Sequence, residues 1–162
     1  PAWRAPLLPW LLIASGIFEG IAGLAIIWAL WPWSAPQDGM HGLAGAGLVF
    51  AIATFILWVS YRLKAREAGV GPLSRQDMAA ITPAVVGIGH IVPALLFTLV
   101  QIMPGLPPTT LFLAAGLTAL AGGLLWKHQM ITRVCHHQGY ELPRVPQRGS
   151  GRHAAPVRLE AA

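Results

Sequence analysis

The chain has little charge and only one cysteine. Of its 162 residues, 10% are Asp, Glu, Lys or Arg, against roughly 25% in an average soluble protein. Hydrophobic residues make up 55% of the sequence, more apolar surface than a soluble domain of this size can bury. The single cysteine, Cys135, excludes an intrachain disulfide framework. We therefore interpret the chain as an integral membrane protein.

Four apolar runs dominate the sequence. They predict an all-α, up-and-down bundle of four membrane-spanning helices, at about residues 7–31, 40–61, 79–103 and 109–127. A span needs about 20 apolar residues. We assign the bundle to residues 1–131 and a polar, partly disordered tail to residues 132–162. The helical spacing of Met130, Ile131 and Val134 indicates that the fourth helix continues about two turns beyond Lys127.

The charges predict the topology. All 11 Lys and Arg residues lie in the lead-in before the first span, in the segment 62–77 or from Lys127 onward, and the segments 32–39 and 104–108 have none. The positive-inside rule then places both ends in the cytoplasm, in a multi-pass protein of the inner (cytoplasmic) membrane. The net charge of +5 is explained by the basic residues that set this topology, so no nucleic-acid partner is expected. All tryptophans fall near predicted span ends, as in an aromatic belt: Trp3, Trp10, Trp28, Trp31, Trp33, Trp58 and Trp126.

Two ionisable residues lie near the middle of predicted spans. Glu19 is central in the first helix, beside a Gly16–Gly20 pair that predicts close helix contact. His90 is central in the third, and Pro93 is expected to kink that helix and free a carbonyl near Gly89. A carboxylate at the bilayer centre costs at least ~2.5–3.5 kcal/mol. We predict that Glu19 and His90 form a hydrogen-bonded pair that carries protons; the alternative is a structural contact that joins two helices.

Other polar residues lie at the outer end of the spans or in the tail. His41 and Gln101 are candidate quinone contacts, or they simply lie among the lipid headgroups. Cys135, His136 and His137 resemble metal ligands, but neighbouring side chains on a helix diverge, so we predict no metal site. We also predict no haem, because His41 and His90 lie at different depths and cannot bracket one iron.

Two groups of motifs resemble the NrfD-like membrane anchors of polysulfide and DMSO reductases. The first group matches the beginning of the second half of these anchors: Pro1-Ala-Trp-Arg4, Pro9 and Ser15-Gly-Ile-Phe-Glu-Gly20. The second group is similar to the closing segment of anchors of the phenylacetyl-CoA acceptor oxidoreductase type: Lys127-His-Gln-Met-Ile-Thr-Arg133, Gln138-Gly-Tyr-Glu-Leu-Pro-Arg-Val-Pro146 and Arg148-Gly149. The resemblance covers roughly residues 1–149.

This resemblance implies a haem-free anchor subunit, usually of about eight spans, of which this chain would be the C-terminal half. Such anchors exchange electrons and protons between the quinone pool, menaquinone or ubiquinone, and an iron–sulfur subunit attached to a molybdopterin catalytic subunit. The ring contacts of the quinone come largely from the earlier helices, so a partner N-terminal half would complete the site. The family pattern also implies a proton-transfer role for the helix-1 acid, Glu19.

A second function class is compatible with the same residues. In a small non-redox membrane protein, such as an assembly factor or one half of a transporter, the broken helices and a central Glu–His site would line a substrate path. Neighbouring reading frames for an iron–sulfur protein and a molybdopterin protein would favour the anchor.

Overall fold

The structure is a computed structural model that describes residues 5–31, 37–103 and 105–135. These residues form helices and contain no strand. In chain order the elements are α1 (Leu8–Leu30), α2 (Gln37–Lys64), α3 (Pro72–Val86), a π-helical segment π1 (Gly87–Ile91), α4 (Val92–Ile102), α5 (Pro108–Gln129) and a second π-helical segment π2 (Met130–Val134).

Within the described residues, four helical spans are long and apolar enough to cross a membrane, which confirms the predicted all-α four-helix fold. The third span runs continuously through α3, π1 and α4, and the fourth through α5 and π2. α1 packs against α2 and α5, and α4 packs against the same two helices from the other side. The spans therefore form a closed bundle in which each span contacts its chain neighbours and α1 contacts α5.

The third span begins earlier than residue 79, the predicted start. A turn ends with Gly69 at φ 73°, a conformation that suits glycine, and Pro72 follows as the first residue of α3. The third span has 31 residues, about 46 Å at ~1.5 Å per residue, so it is longer than the ~30 Å hydrocarbon core. The first residues of α3 were predicted to lie outside the span because they are polar and precede the apolar run.

The fourth helix continues to Val134, as the spacing of its apolar residues predicts. Lys127 therefore lies seven residues before the end of the helix rather than at its exit. Cys135 follows directly and is half-buried, and this burial raises the pKa of its thiol. The tail from residue 136 onward, including His136 and His137, lies outside the described residues.

The core consists of two clusters, one toward each end of the bundle. One cluster contains Trp58, Tyr61 and Trp126, and the other contains Phe18, Phe97 and Phe112. Trp58 is only 1% exposed and its ring centroid lies 5.9 Å from that of Trp126. These two tryptophans were wrongly predicted to be belt residues; they fill the core, whereas Trp10 and Trp31 are exposed as a belt requires.

Close helix packing occurs at different glycines from those predicted. Gly16 and Gly20 have open space around them, because they do not lie on the buried face of α1. That face includes Leu11, Ala14, Phe18, Ala22 and Ala25. Instead, π1 and α5 meet at Gly89 and Gly122, where a Cβ on Gly122 would overlap the Gly89 backbone. This contact fixes π1 against the fourth span.

A paired substitution tests this packing. We expect Gly122→Ala to lower the free energy of unfolding by about 1–3 kcal/mol, because neither backbone can move aside. Gly16→Ala is the control, and its higher helix propensity should leave stability unchanged or raised by up to ~1 kcal/mol. Thermal unfolding in one detergent compares the two. Equal effects would contradict a glycine-dependent contact between π1 and α5.

Candidate functional site

Glu19 is held at the interface between α1 and α5. Its Oε2 accepts a hydrogen bond from Lys127 Nζ at 2.7 Å, and the two side chains are 21% and 29% exposed. Gly123 lies directly beside the carboxylate, where any side chain would displace it. The other oxygen, Oε1, is buried without a hydrogen-bond partner among the described residues. The charge of the intramembrane acid is thus balanced by a lysine that approaches one oxygen only.

The predicted Glu19–His90 hydrogen bond is wrong, because each residue has a different partner. Phe18, not Glu19, turns toward His90, and its ring stacks on the imidazole at a centroid distance of 6.4 Å. Successive residues of an α-helix point about 100° apart, so Glu19 faces α5 instead. The two residues do lie at similar depth, since Gly122 contacts Gly89 and the next residue, Gly123, contacts Glu19.

Lys127 is the site residue that sequence reasoning missed. It was interpreted as the exit of the fourth span, although the spacing of Met130, Ile131 and Val134 already indicated a longer helix. That longer helix places the Lys127 stem inside the span, and the ammonium also lies 5.9 Å from the Trp126 ring centroid. The predicted extension of the fourth helix, together with the need of Glu19 for a partner, could have indicated Lys127 from the sequence.

His90 lies in π1, a segment type that often occurs at functional sites. Its Nδ1 lies 2.8 Å from the Val85 carbonyl oxygen, which can only accept, so Nδ1–H is the donor. Pro93 lacks an N–H, which is consistent with the irregular backbone hydrogen bonding expected in this part of the helix. The carbonyl that accepts from the imidazole belongs to Val85, whereas the sequence predicted a free carbonyl near Gly89. The bond fixes the imidazole orientation and leaves Nε2 available for another partner.

A pocket of about 250 Å³ opens beside His90, between α2 and the third span. Its walls are almost entirely apolar, and Phe55 contributes a ring whose centroid lies 6.2 Å from the imidazole. The remaining lining residues are Ala51, Ile52, Ile91, Ala94, Leu95 and Thr98. Two polar side chains line this pocket, His90 and Thr98, and the Thr98 hydroxyl already donates to the Ala94 carbonyl oxygen.

His41 and Gln101 come together at the opposite end of the bundle from the arginine-rich segment. His41 Nδ1 and Gln101 Oε1 are 2.8 Å apart, and Gln101 Nε2 donates to the His41 carbonyl oxygen at 2.7 Å. The amide thus bonds both the ring and the backbone of His41 and joins α2 to α4. Their predicted contact with quinone stays a prediction. Within the described residues, no group of three or more His, Cys, Asp and Glu is placed to hold a metal ion.

Comparisons with known proteins add no family or function to this geometry. No family model, no curated protein and no solved structure matches the chain.

Proposed function

We propose that the chain is a membrane subunit of a quinone-linked oxidoreductase, which exchanges electrons and protons between the quinone pool and an iron–sulfur subunit. The observation that carries this proposal is His90, oriented by the Val85 carbonyl beside an apolar pocket within the span. The resemblance of the chain to NrfD-like anchors points to the same function. It also suggests a molybdopterin catalytic subunit as a more distant partner.

The pocket fits the head group of a lipid-soluble quinone in chemistry and size. A quinone ring is apolar on its faces and carries oxygens at its edge, so it needs an apolar slot with a few polar groups. Phe55 and the aliphatic lining offer the slot, and His90 Nε2, in a ring whose proton is held on Nδ1, can accept a hydrogen bond from a quinol hydroxyl. A volume of about 250 Å³ accommodates the ring, and the isoprenoid tail would extend into the surrounding lipid. Both menaquinone and ubiquinone satisfy this chemistry.

We assign His90 and Glu19 separate roles in proton movement. Reduction of a quinone consumes protons as well as electrons, and an imidazole at the ring oxygen can exchange one of them. Glu19 Oε1 is buried at similar depth and has no hydrogen-bond partner among the described residues, so it can accept a hydrogen bond from a water molecule on a proton path, while Lys127 holds Oε2. A path between the two side chains would pass Phe18 and needs water or a small rearrangement.

The charge pattern supports an orientation with the arginine-rich end in the cytoplasm, in the inner membrane. We expect a membrane-impermeant maleimide added from outside to label Asp38→Cys but not Arg66→Cys, each in a Cys135→Ser background. Intact cells or spheroplasts provide the sidedness, and permeabilised cells show that both thiols react. Labelling of Arg66→Cys alone from outside would reverse the orientation.

The alternative function, a non-redox assembly factor or transporter half, depended on one central Glu–His site. The geometry gives two separate polar contacts in place of that site, Glu19 with Lys127 and His90 with Val85. An apolar pocket whose only polar side chains among the described residues are His90 and Thr98 suits a hydrophobic ligand better than a polar transported solute. We therefore favour the quinone-linked subunit.

Binding of a short-tailed quinone to the purified chain tests the proposal. Loss of one hydrogen bond to the ligand predicts roughly threefold to tenfold weaker binding for His90→Leu. His128→Leu, at an exposed position on α5 that does not line the pocket, is the matched control and should bind as the wild type does. Melting temperatures measured in parallel separate lost binding from lost fold. Equal affinity of the His90→Leu variant and the wild type would refute the assigned site.

A further inference from the structure

The arginine-rich end of the bundle contains a second, charged groove that is separate from the His90 pocket. It lies between α2 and α3 and has a volume of about 440 Å³. Three of its lining residues are arginines, Arg62, Arg66 and Arg75, and the others are Val59, Leu63 and Thr82. We propose that this groove binds the phosphate head group of an anionic phospholipid.

The positive charge of the groove arginines is uncompensated within the described residues. Among the described parts of the chain, Arg62, Arg66 and Arg75 form no ion pair. The Arg75 Nε is moreover buried and without a hydrogen-bond partner in those parts. A buried guanidinium N–H without an acceptor is costly. A phosphate satisfies it, since its oxygens match the planar guanidinium donors in charge and geometry.

The groove changes in polarity along its length, from the arginines to Val59 and Thr82. Thr82 follows Arg75 by seven residues on α3, about 10 Å at ~1.5 Å per residue, and Val59 precedes Arg62 on α2 by one turn. The Thr82 hydroxyl donates to the Met78 carbonyl oxygen, so that end presents apolar atoms. Leu63 is 76% exposed beside the groove. A free phosphate would use only the arginine end, whereas a phospholipid places its phosphate there and its acyl chains along the apolar end.

The position of the groove also fits a lipid head group. Arg62 lies in the last turn of α2, Arg66 in the turn after it and Arg75 in the first turn of α3, where the third span projects beyond the hydrocarbon core. Lipid phosphates occupy this level, and basic pockets between spans at the cytoplasmic side are typical sites for anionic head groups. In the orientation given above, the lipid belongs to the cytoplasmic leaflet. The inference does not depend on quinone binding, and its failure would leave the His90 proposal untouched.

Native mass spectrometry of the chain in lipid nanodiscs tests this site, with phosphatidylglycerol as the anionic probe and phosphatidylcholine as the zwitterionic one. We expect one retained phosphatidylglycerol per wild-type chain and no retained phosphatidylcholine. Each arginine removed should weaken retention about fivefold, so the double variant Arg66→Gln/Arg75→Gln should lose the lipid. Inorganic phosphate at millimolar concentration should not displace it.

Two controls make the result specific. Lys64→Gln removes one positive charge from the same helix end but does not line the groove, and it should retain the lipid. Arg75→Lys keeps the charge without the planar guanidinium, and it should retain the lipid only partly. Equal loss in Lys64→Gln and Arg75→Gln, retention in the double variant, or displacement by inorganic phosphate would each overturn the proposal.

Discussion

Replacement of Lys127 by methionine is expected to destabilise the bundle by about 3–5 kcal/mol, because the Glu19 charge would be left inside the span without its partner. The 2.7 Å contact joins the first and last spans, which are far apart in sequence. A carboxylate in this environment cannot exchange the lysine for water as a surface group can. Chemical unfolding in mixed micelles measures the change.

The double variant Glu19→Gln/Lys127→Met provides the decisive comparison. It removes both charges at once, and the replacement of a buried ion pair by neutral groups often lowers the free energy of unfolding only slightly. We expect the double variant to be more stable than Lys127→Met alone, with a coupling energy of at least ~1 kcal/mol. Lys64→Met, at an exposed position, should change stability by no more than about 0.5 kcal/mol. Additive losses from the two single variants would contradict the ion pair.

The second large effect is expected from filling the pocket beside His90. Ala94 lines that pocket with a small side chain, so Ala94→Phe would occupy the volume where we place the quinone ring. We expect quinone affinity to fall on the order of a hundredfold, since a ligand that must displace a packed ring loses several kcal/mol. The fold should persist, because Ala94 faces an open cavity.

Val49→Phe is the control for Ala94→Phe. Val49 lies on α2, is 62% exposed and does not line the pocket. It adds a phenyl ring to an exposed surface of the same bundle. We expect its quinone affinity to match that of the wild type. Unchanged binding in Ala94→Phe would place the quinone elsewhere, and a loss in both variants would indicate a general effect on the bundle.

The sequence was sufficient for the four-helix fold and for the positions of Glu19 and His90, but Lys127 was missed. Apolar runs of about 20 residues and the distribution of Lys and Arg predict four spans, since few other structures can accommodate such long apolar runs in a chain with so little charge. The central positions of Glu19 and His90 also follow from counting along their helices. Both residues do lie at similar depth in the bundle.

The pairing of these residues could not be predicted, because depth does not fix the direction in which a side chain points. Glu19 and Phe18 are neighbours in sequence, and which of them faces the bundle interior depends on the packing of the whole α1 face. The π1 segment adds a local change in helix rotation near His90 that no residue count reveals. The partnership of Glu19 with Lys127 was missed because Lys127 was interpreted as the exit of the fourth span, although the predicted helix already continued about two turns beyond it.

Photoaffinity labelling with an azido-quinone tests the central claim most directly. The labelled chain, in membranes or nanodiscs, would be digested and the adducts mapped by mass spectrometry. We predict adducts in the two segments that line the pocket, residues 51–55 and 90–98, competed by excess quinone and absent in Ala94→Phe. Competed labelling confined to the His41–Gln101 end, or labelling that persists unchanged in Ala94→Phe, would contradict a quinone site at His90.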